Sequence, residues 1–181
     1  SDVLLEIPVS MLGRSILVYI EFDAMSTGAS EFAPGSAIQS NAVRWVRTGN
    51  KVALLTVNYD NWAGNYSALK KGLDAVTLPT VVEVFDVEKE GAGGAPIINI
   101  TSLFTTNPPK SFALEFKRHY RMAQVDGRRS LIRNVKVFPQ NIQISFYQTW
   151  IPDEKDLLKP PKDQDPPRAF LGFSFKANFL L

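Results

Sequence analysis

One histidine, His119, and no cysteine are what the 181 residues offer to transition-metal or thiol chemistry. A catalytic zinc takes three protein ligands, typically His with a carboxylate, and the helical H-E-x-x-H arrangement takes two His. His119 cannot build that site alone and reads as a surface residue in a basic stretch. A serine nucleophile could draw on Ser130, His119 and Asp126, but no nucleophile elbow surrounds Ser130 and composition supplies such triples by chance. Glu21 with Asp23, and Glu83 with Asp86, read as solvated acids in strands or at their ends. Gly91-Ala92-Gly93-Gly94 follows a strand. Pro96 and the β-branched residues after it deny the helix whose N-terminus would hold a phosphate, so a hairpin tip is the better reading. No catalytic, metal or cofactor-binding residue is assigned in this chain.

Charge gives a clearer signal. The formal net charge is +2, yet residues 117–136 hold seven cations, from Lys117 to Lys136, against one acid, Asp126. Such a block can meet phosphates or pair bidentately with carboxylates. Tyr120 is the only aromatic within it, too few for base stacking, so docking or internal ion pairing is expected and nucleic acid is not. Asp126, Arg128, Arg129, Ser130, Pro139 and Asn141 are the candidate interaction or structural residues. Trp62, in Asn61-Trp62-Ala63-Gly64-Asn65, is the candidate ligand platform. Trp45 and Trp150 lie in expected strands and read equally as core.

The elements that must position these residues are mostly strands. Hydrophobic residues make up 45% of the chain and charged residues 21%, ordinary globular values. No run approaches the ~18 apolar residues that span a bilayer. Ile16, Val18, Ile20 and Phe22 alternate with polar or outward positions, the period of a half-buried strand. Val43–Val46 and Val52–Val57 flank Thr48-Gly49-Asn50 and predict a hairpin. Val81–Val87 and Ile97–Ile100 predict two more strands. Leu131–Phe138 and Ile142–Trp150 predict a second hairpin through Pro139-Gln140-Asn141, with Ile142, Ile144 and Phe146 on one face. Leu171, Phe173, Phe175, Ala177, Phe179 and Leu181 mark the inner face of a last strand. Short helical turns are expected at Pro8–Gly13 and after Thr101, with Thr101 as cap, and a longer helix at Ser111–Tyr120. Leu69–Leu73 is ambiguous. Residues 24–36 and the Pro-rich 152–167 read as loops. The fold class expected is mainly β, with antiparallel, sandwich-like sheets, hairpins at about 43–57 and 131–150, and a few short helices.

Several segments carry a family resemblance in a shared order. Ile7-Pro8 through Leu12-Gly13-Arg14 is similar to an I-P-x-x-L-G-R opening. Pro34-Gly35 followed by Val43-Arg44-Trp45 is similar to a G-x…V-x-[FW] stretch. Ile98–Phe104 resembles V-D-V-T-x-L-F, Asp126-x-x-Arg129-Ser130-x-Ile132 resembles D-x-x-R-S-x-I, and Phe138-Pro139-Gln140-Asn141-Ile142 resembles F-P-x-N-[IV]. These belong to the uncharacterised domain upstream of the catalytic domain in large secreted zinc-dependent metalloproteases of Gram-negative bacteria. The resemblance covers roughly residues 3 to 150. One departure is Asn99, where the family usually carries an acid.

The resemblance implies a single β-rich accessory domain over 1–181, excised from a longer protein. The opening at Ser1-Asp2 without Met and the apolar strand at the C-terminus fit that expectation. It implies a secreted, periplasmic or outer-membrane-associated location. The partner would be a neighbouring catalytic domain of the same polypeptide, with zinc held there and not here. Arg128, Arg129 and the Pro139–Asn141 turn are the docking candidates. Pairing of Asp126 with Arg129 or nearby backbone is an equal alternative. The competing reading is a stand-alone β-sandwich module that binds a ligand or glycan at Trp62. An autonomous hydrolase is a third reading, and no turnover is expected from the isolated chain.

Overall fold

Period-two alternation builds ten strands in the computed structural model, which describes residues 2–26, 32–57, 78–106, 121–152 and 170–181. They are β1 (Leu4–Glu6), β2 (Ser15–Met25), β3 (Ala37–Thr48), β4 (Lys51–Thr56) and β5 (Val81–Glu90), then β6 (Pro96–Asn99), β7 (Met122–Val125), β8 (Leu131–Phe138), β9 (Asn141–Pro152) and β10 (Leu171–Leu180). The sheet runs β1-β6-β5-β4-β3-β2-β10-β9-β7, and β8 pairs β9 beside β7. Its ladders are antiparallel. The expected mainly-β fold holds, with one continuous curled sheet around the core where a sandwich would use two.

The curl brings distant elements together. A one-turn helix, Ser102–Thr105, follows β6 and carries Phe104. The Phe104 ring lies 5.1 Å from that of Phe146 on β9, and Phe146 lies 5.3 Å from Phe175 on β10. Gln148 Nε2 on β9 donates to the Phe104 carbonyl at 3.0 Å, so the helix is tied to the far side of the sheet by a buried hydrogen bond. The alternating residues of β2 named above are buried here with Trp45, Leu54, Ile144 and the β10 phenylalanines. Burying each such side chain contributes roughly 1.5–3 kcal/mol relative to leaving it exposed.

Both expected hairpins form, with shifted limits. Thr48 pairs with Lys51 across Gly49-Asn50, and Gly49 adopts φ 58°, the left-handed conformation such a turn needs. β3 begins at Ala37, because residues 37–42 pair with β2 as well as 43–48 with β4. In the second hairpin Phe138 pairs with Asn141, so the turn is Pro139-Gln140 and Asn141 belongs to the strand. β9 continues through Pro152, which ends the ladder with β7 opposite Met122. β2 likewise runs to Met25, paired with Phe173, so Ala24 and Met25 are strand and not loop. Gly91–Gly94 is the β5–β6 tip, a 3-10 turn at Ala92–Gly94.

Two local expectations change. Thr101 does not cap the helix after β6. Its own backbone is helical, and its hydroxyl accepts from Val3 N at 2.9 Å, tying down the N-terminal segment. Asn99 Oδ1 instead accepts from Thr101 N at 3.0 Å. This acceptor role is one a carboxylate fills equally well, which accounts for Asn at a position where the resembled pattern has an acid. Leu181 is 61% exposed, because it lies past the last strand at the lip of a cavity. Among the described residues no helix is long and apolar enough to cross a membrane. Trp62, His119, Leu69–Leu73, the helix expected at Ser111–Tyr120 and the Pro-rich loop beyond Pro152 lie outside the described residues.

Candidate functional site

The Asp126–Ser130 turn carries four of the six candidate interaction residues, and its geometry follows from its sequence. Asp126 precedes a 3-10 turn, Gly127–Arg129, and its Oδ1 accepts from Arg128 N at 3.0 Å, the capping role short acidic side chains favour. Its Oδ2 pairs with Arg129 Nη1 at 3.0 Å. Ser130 Oγ donates to the Asp126 carbonyl at 2.8 Å and accepts from Thr149 N at 3.1 Å. Thr149 Oγ1 donates to the Arg129 carbonyl at 2.9 Å, and Asp126 N donates to the Thr149 carbonyl at 2.8 Å. A Cβ on Gly127 would lie 3.1 Å from the Thr105 carbonyl, so the turn presses on the Phe104 helix. The D-x-x-R-S pattern thus staples the β7–β8 connection onto β9. Ser130 is engaged in this staple, and His119, the base a serine nucleophile would need, lies outside the described residues.

The basic block divides. Arg129 is committed to Asp126, and its guanidinium also stands 4.2 Å over the Phe170 ring, a cation–π contact. Arg133 Nη1 reaches Ser174 Oγ at 3.5 Å, and that hydroxyl donates to Asp23 Oδ2 at 2.9 Å. Lys176 Nζ pairs with Asp23 Oδ1 at 2.6 Å. The Lys176 hydrogen bond holds the Asp23 carboxyl below the usual carboxylate range; burial opposes this, and Ser174 and Arg133 reinforce it. Arg128 and Lys136 stay exposed. An ion pair therefore engages Arg129, and a hydrogen bond to Ser174 beside Asp23 engages Arg133, whereas Arg128 and Lys136 remain as surface charges.

A second set of residues forms a cavity that linear reasoning missed. It has a volume of about 270 Å³ and an almost wholly apolar wall. β1 supplies Leu5, the β8–β9 tip supplies Val137, Phe138 and Pro139, and Trp45 and Phe179 close it from the core. Val137, Phe138, Leu131 and Val135 of β8 are all exposed. Pro139 therefore sits at the cavity rim. Asn141, two residues on, donates from Nδ2 to Asn178 Oδ1 at 3.3 Å, and Gln143 Nε2 reaches the same oxygen at 3.0 Å. The only sequence signal of the cavity was an apolar strand, β8, whose alternation could equally have been buried.

The remaining chemistry is sparse. Among the described residues no group of three or more His, Cys, Asp or Glu could hold a metal ion. The chain holds a single histidine, outside the described residues, and no Cys. Trp45 and Trp150 are buried, so neither offers a face to a sugar, and a glycan-binding reading rests on Trp62 alone. No curated protein and no solved structure matches the chain. A family profile matches residues 35–171, from just before β3 to the first residue of β10, and the chain belongs to that family, described as a domain of unknown function (DUF5117).

Proposed function

We propose that this chain is a non-catalytic interaction domain that packs against a catalytic domain outside it, in a secreted zinc metalloprotease. The carrying observation is the β8 edge, which exposes four large apolar residues beside the uncommitted Arg128 and the Pro139 turn. An exposed apolar edge strand is an aggregation hazard that proteins usually blunt or cover. The ordered resemblance quoted above supports the identity of the parent, and zinc would be held by that parent's own catalytic residues. Docking falls to Arg128 and the Pro139 turn, while Asp126, Arg129 and Ser130 hold the turn that presents them.

The test uses the parent polypeptide in its source cells. A native mass several times that of this chain, with proteolysis abolished by a chelator, is the expected result. Arg128→Glu should then weaken domain association after limited proteolysis. Unchanged association and unchanged proteolysis would remove Arg128 from the interface, and a native polypeptide of this chain's own mass would remove the reading altogether.

A further inference from the structure

Strand β8 pairs with β9 on one side and, among the described residues, with no strand on the other. At the opposite end of the sheet order, β1 likewise pairs, among the described residues, with β6 alone. The two edges line the same apolar cavity, β1 through Leu5 and β8 through Val137. Val137 stands opposite Ile142 in the ladder, and Val135 opposite the buried Ile144, so both valines lie on the core-facing side of the sheet. Val137 is nevertheless 75% exposed. A core-facing side chain left open between two strand edges is the condition of a sheet that lacks a strand. The cavity, about 270 Å³, falls below the ~300–1,000 Å³ typical of small-molecule sites. It suits a few aliphatic side chains better than a whole cofactor.

Charge selects the occupant. β8 and the turn before it hold Arg128, Arg129, Arg133 and Lys136, and from Gly127 to Phe138 there is no acid. Arg129 and Arg133 are engaged internally, which leaves Arg128 and Lys136 exposed. Lys136 stands opposite Gln143, on the face away from the cavity. A second β8 laid against the first would bring two cationic, acid-free strands together, and like charges brought together in a sheet are unfavourable. We infer that the β8 edge and its cavity accept an extended segment of a partner polypeptide in which apolar residues alternate with acids. Its apolar side chains fill the cavity beside Val137, and its acids meet Lys136 on the opposite face. Main-chain hydrogen bonds to β8 supply affinity and the alternating side chains supply selectivity. This goes beyond the proposed accessory role, since it fixes the contact chemistry whatever activity the partner has.

The test is fluorescence anisotropy of a labelled heptapeptide, Val-Glu-Val-Glu-Val-Glu-Val, titrated with the 181-residue chain at low salt. Saturable binding is expected, weakened about tenfold by Val137→Glu. Lys136→Glu should weaken it too, and should favour the peptide in which Lys replaces Glu. Circular dichroism verifies that both surface variants keep the fold. Three results overturn the inference. One is the absence of saturable binding. Another is equal binding by Val137→Glu, or by a peptide of the same composition with its acids clustered. The last is a Val137-dependent dimer in sedimentation that the peptide does not dissociate, which would assign the edge to a second copy.

Discussion

Strands β10 and β8 both pair with β9, over residues 141–150 and 141–147 respectively. Both alternate apolar and polar residues. Yet β10 is buried at eight of its ten positions, whereas β8 is buried at none. The reason is their place in the sheet. β10 has β2 on its other side, the phenylalanine core on one face, and a polar layer of Ser174, Asp23 and Lys176 with the Tyr147 ring on the other. Among the described residues β8 has a neighbouring strand on one side only. Hydrogen bonding to the same partner therefore does not decide burial; lateral and facing neighbours do.

The contrast should be largest in the two strands' tolerance of truncation. Phe173→Ala on β10 removes a fully buried ring and should cost about 3–5 kcal/mol, whereas Val137→Ala on β8 should stay within about 0.5 kcal/mol. Urea denaturation followed by circular dichroism measures both, and similar costs would break the comparison. Next in size is Gly172→Ala. A Cβ there collides with the Tyr147 hydroxyl and ring, so overpacking should cost about 1–3 kcal/mol. Tyr147→Ala in the same chain should recover much of the loss, a coupling that a double-mutant cycle reads directly.

A smaller effect is expected where β8 is anchored. Asp126→Ala loses the cap to Arg128 N and the pair with Arg129, and should cost about 1–2 kcal/mol. It should also raise hydrogen exchange in β8 before β10 responds. The smallest effect concerns acid. Asp23 has a folded-state pKa below its unfolded value, so its contribution is present above the unfolded pKa and is lost as pH falls through the folded one. Asp23→Asn should therefore flatten the fall in Tm below about pH 4 and leave the β8 variants' ranking unchanged. A Tm profile between neutral and acidic pH tests the sign.

Legibility in the sequence followed the range of the interactions. The turns at Thr48-Gly49-Asn50 and Pro139-Gln140-Asn141 were readable to within one residue because turn chemistry is local. The Asp126–Arg129 pair was readable as an alternative because its members are three residues apart. Ser130's hydrogen bond from Thr149 was not, since it depends on how β8 registers against β9, and a bulge between Ile132 and Asn134 sets that register. The misread cap at Thr101 has the same origin. A hydroxyl that locally favours capping was taken by Val3, distant in sequence.

By itself the sequence determined that this protein is mainly β, where its two hairpins turn to within a residue, which faces of β2, β9 and β10 are apolar, and that it carries one histidine and no cysteine. These follow from side-chain period, turn conformations and residue inventory, all local properties. Only the tertiary structure decided that the sheet is single and curled, that Arg129 and Arg133 are consumed internally, and that β1 and β8 border one open apolar cavity. The physical reason is that strand order and curl, which local sequence does not encode, select which apolar faces meet and which are left without a neighbour.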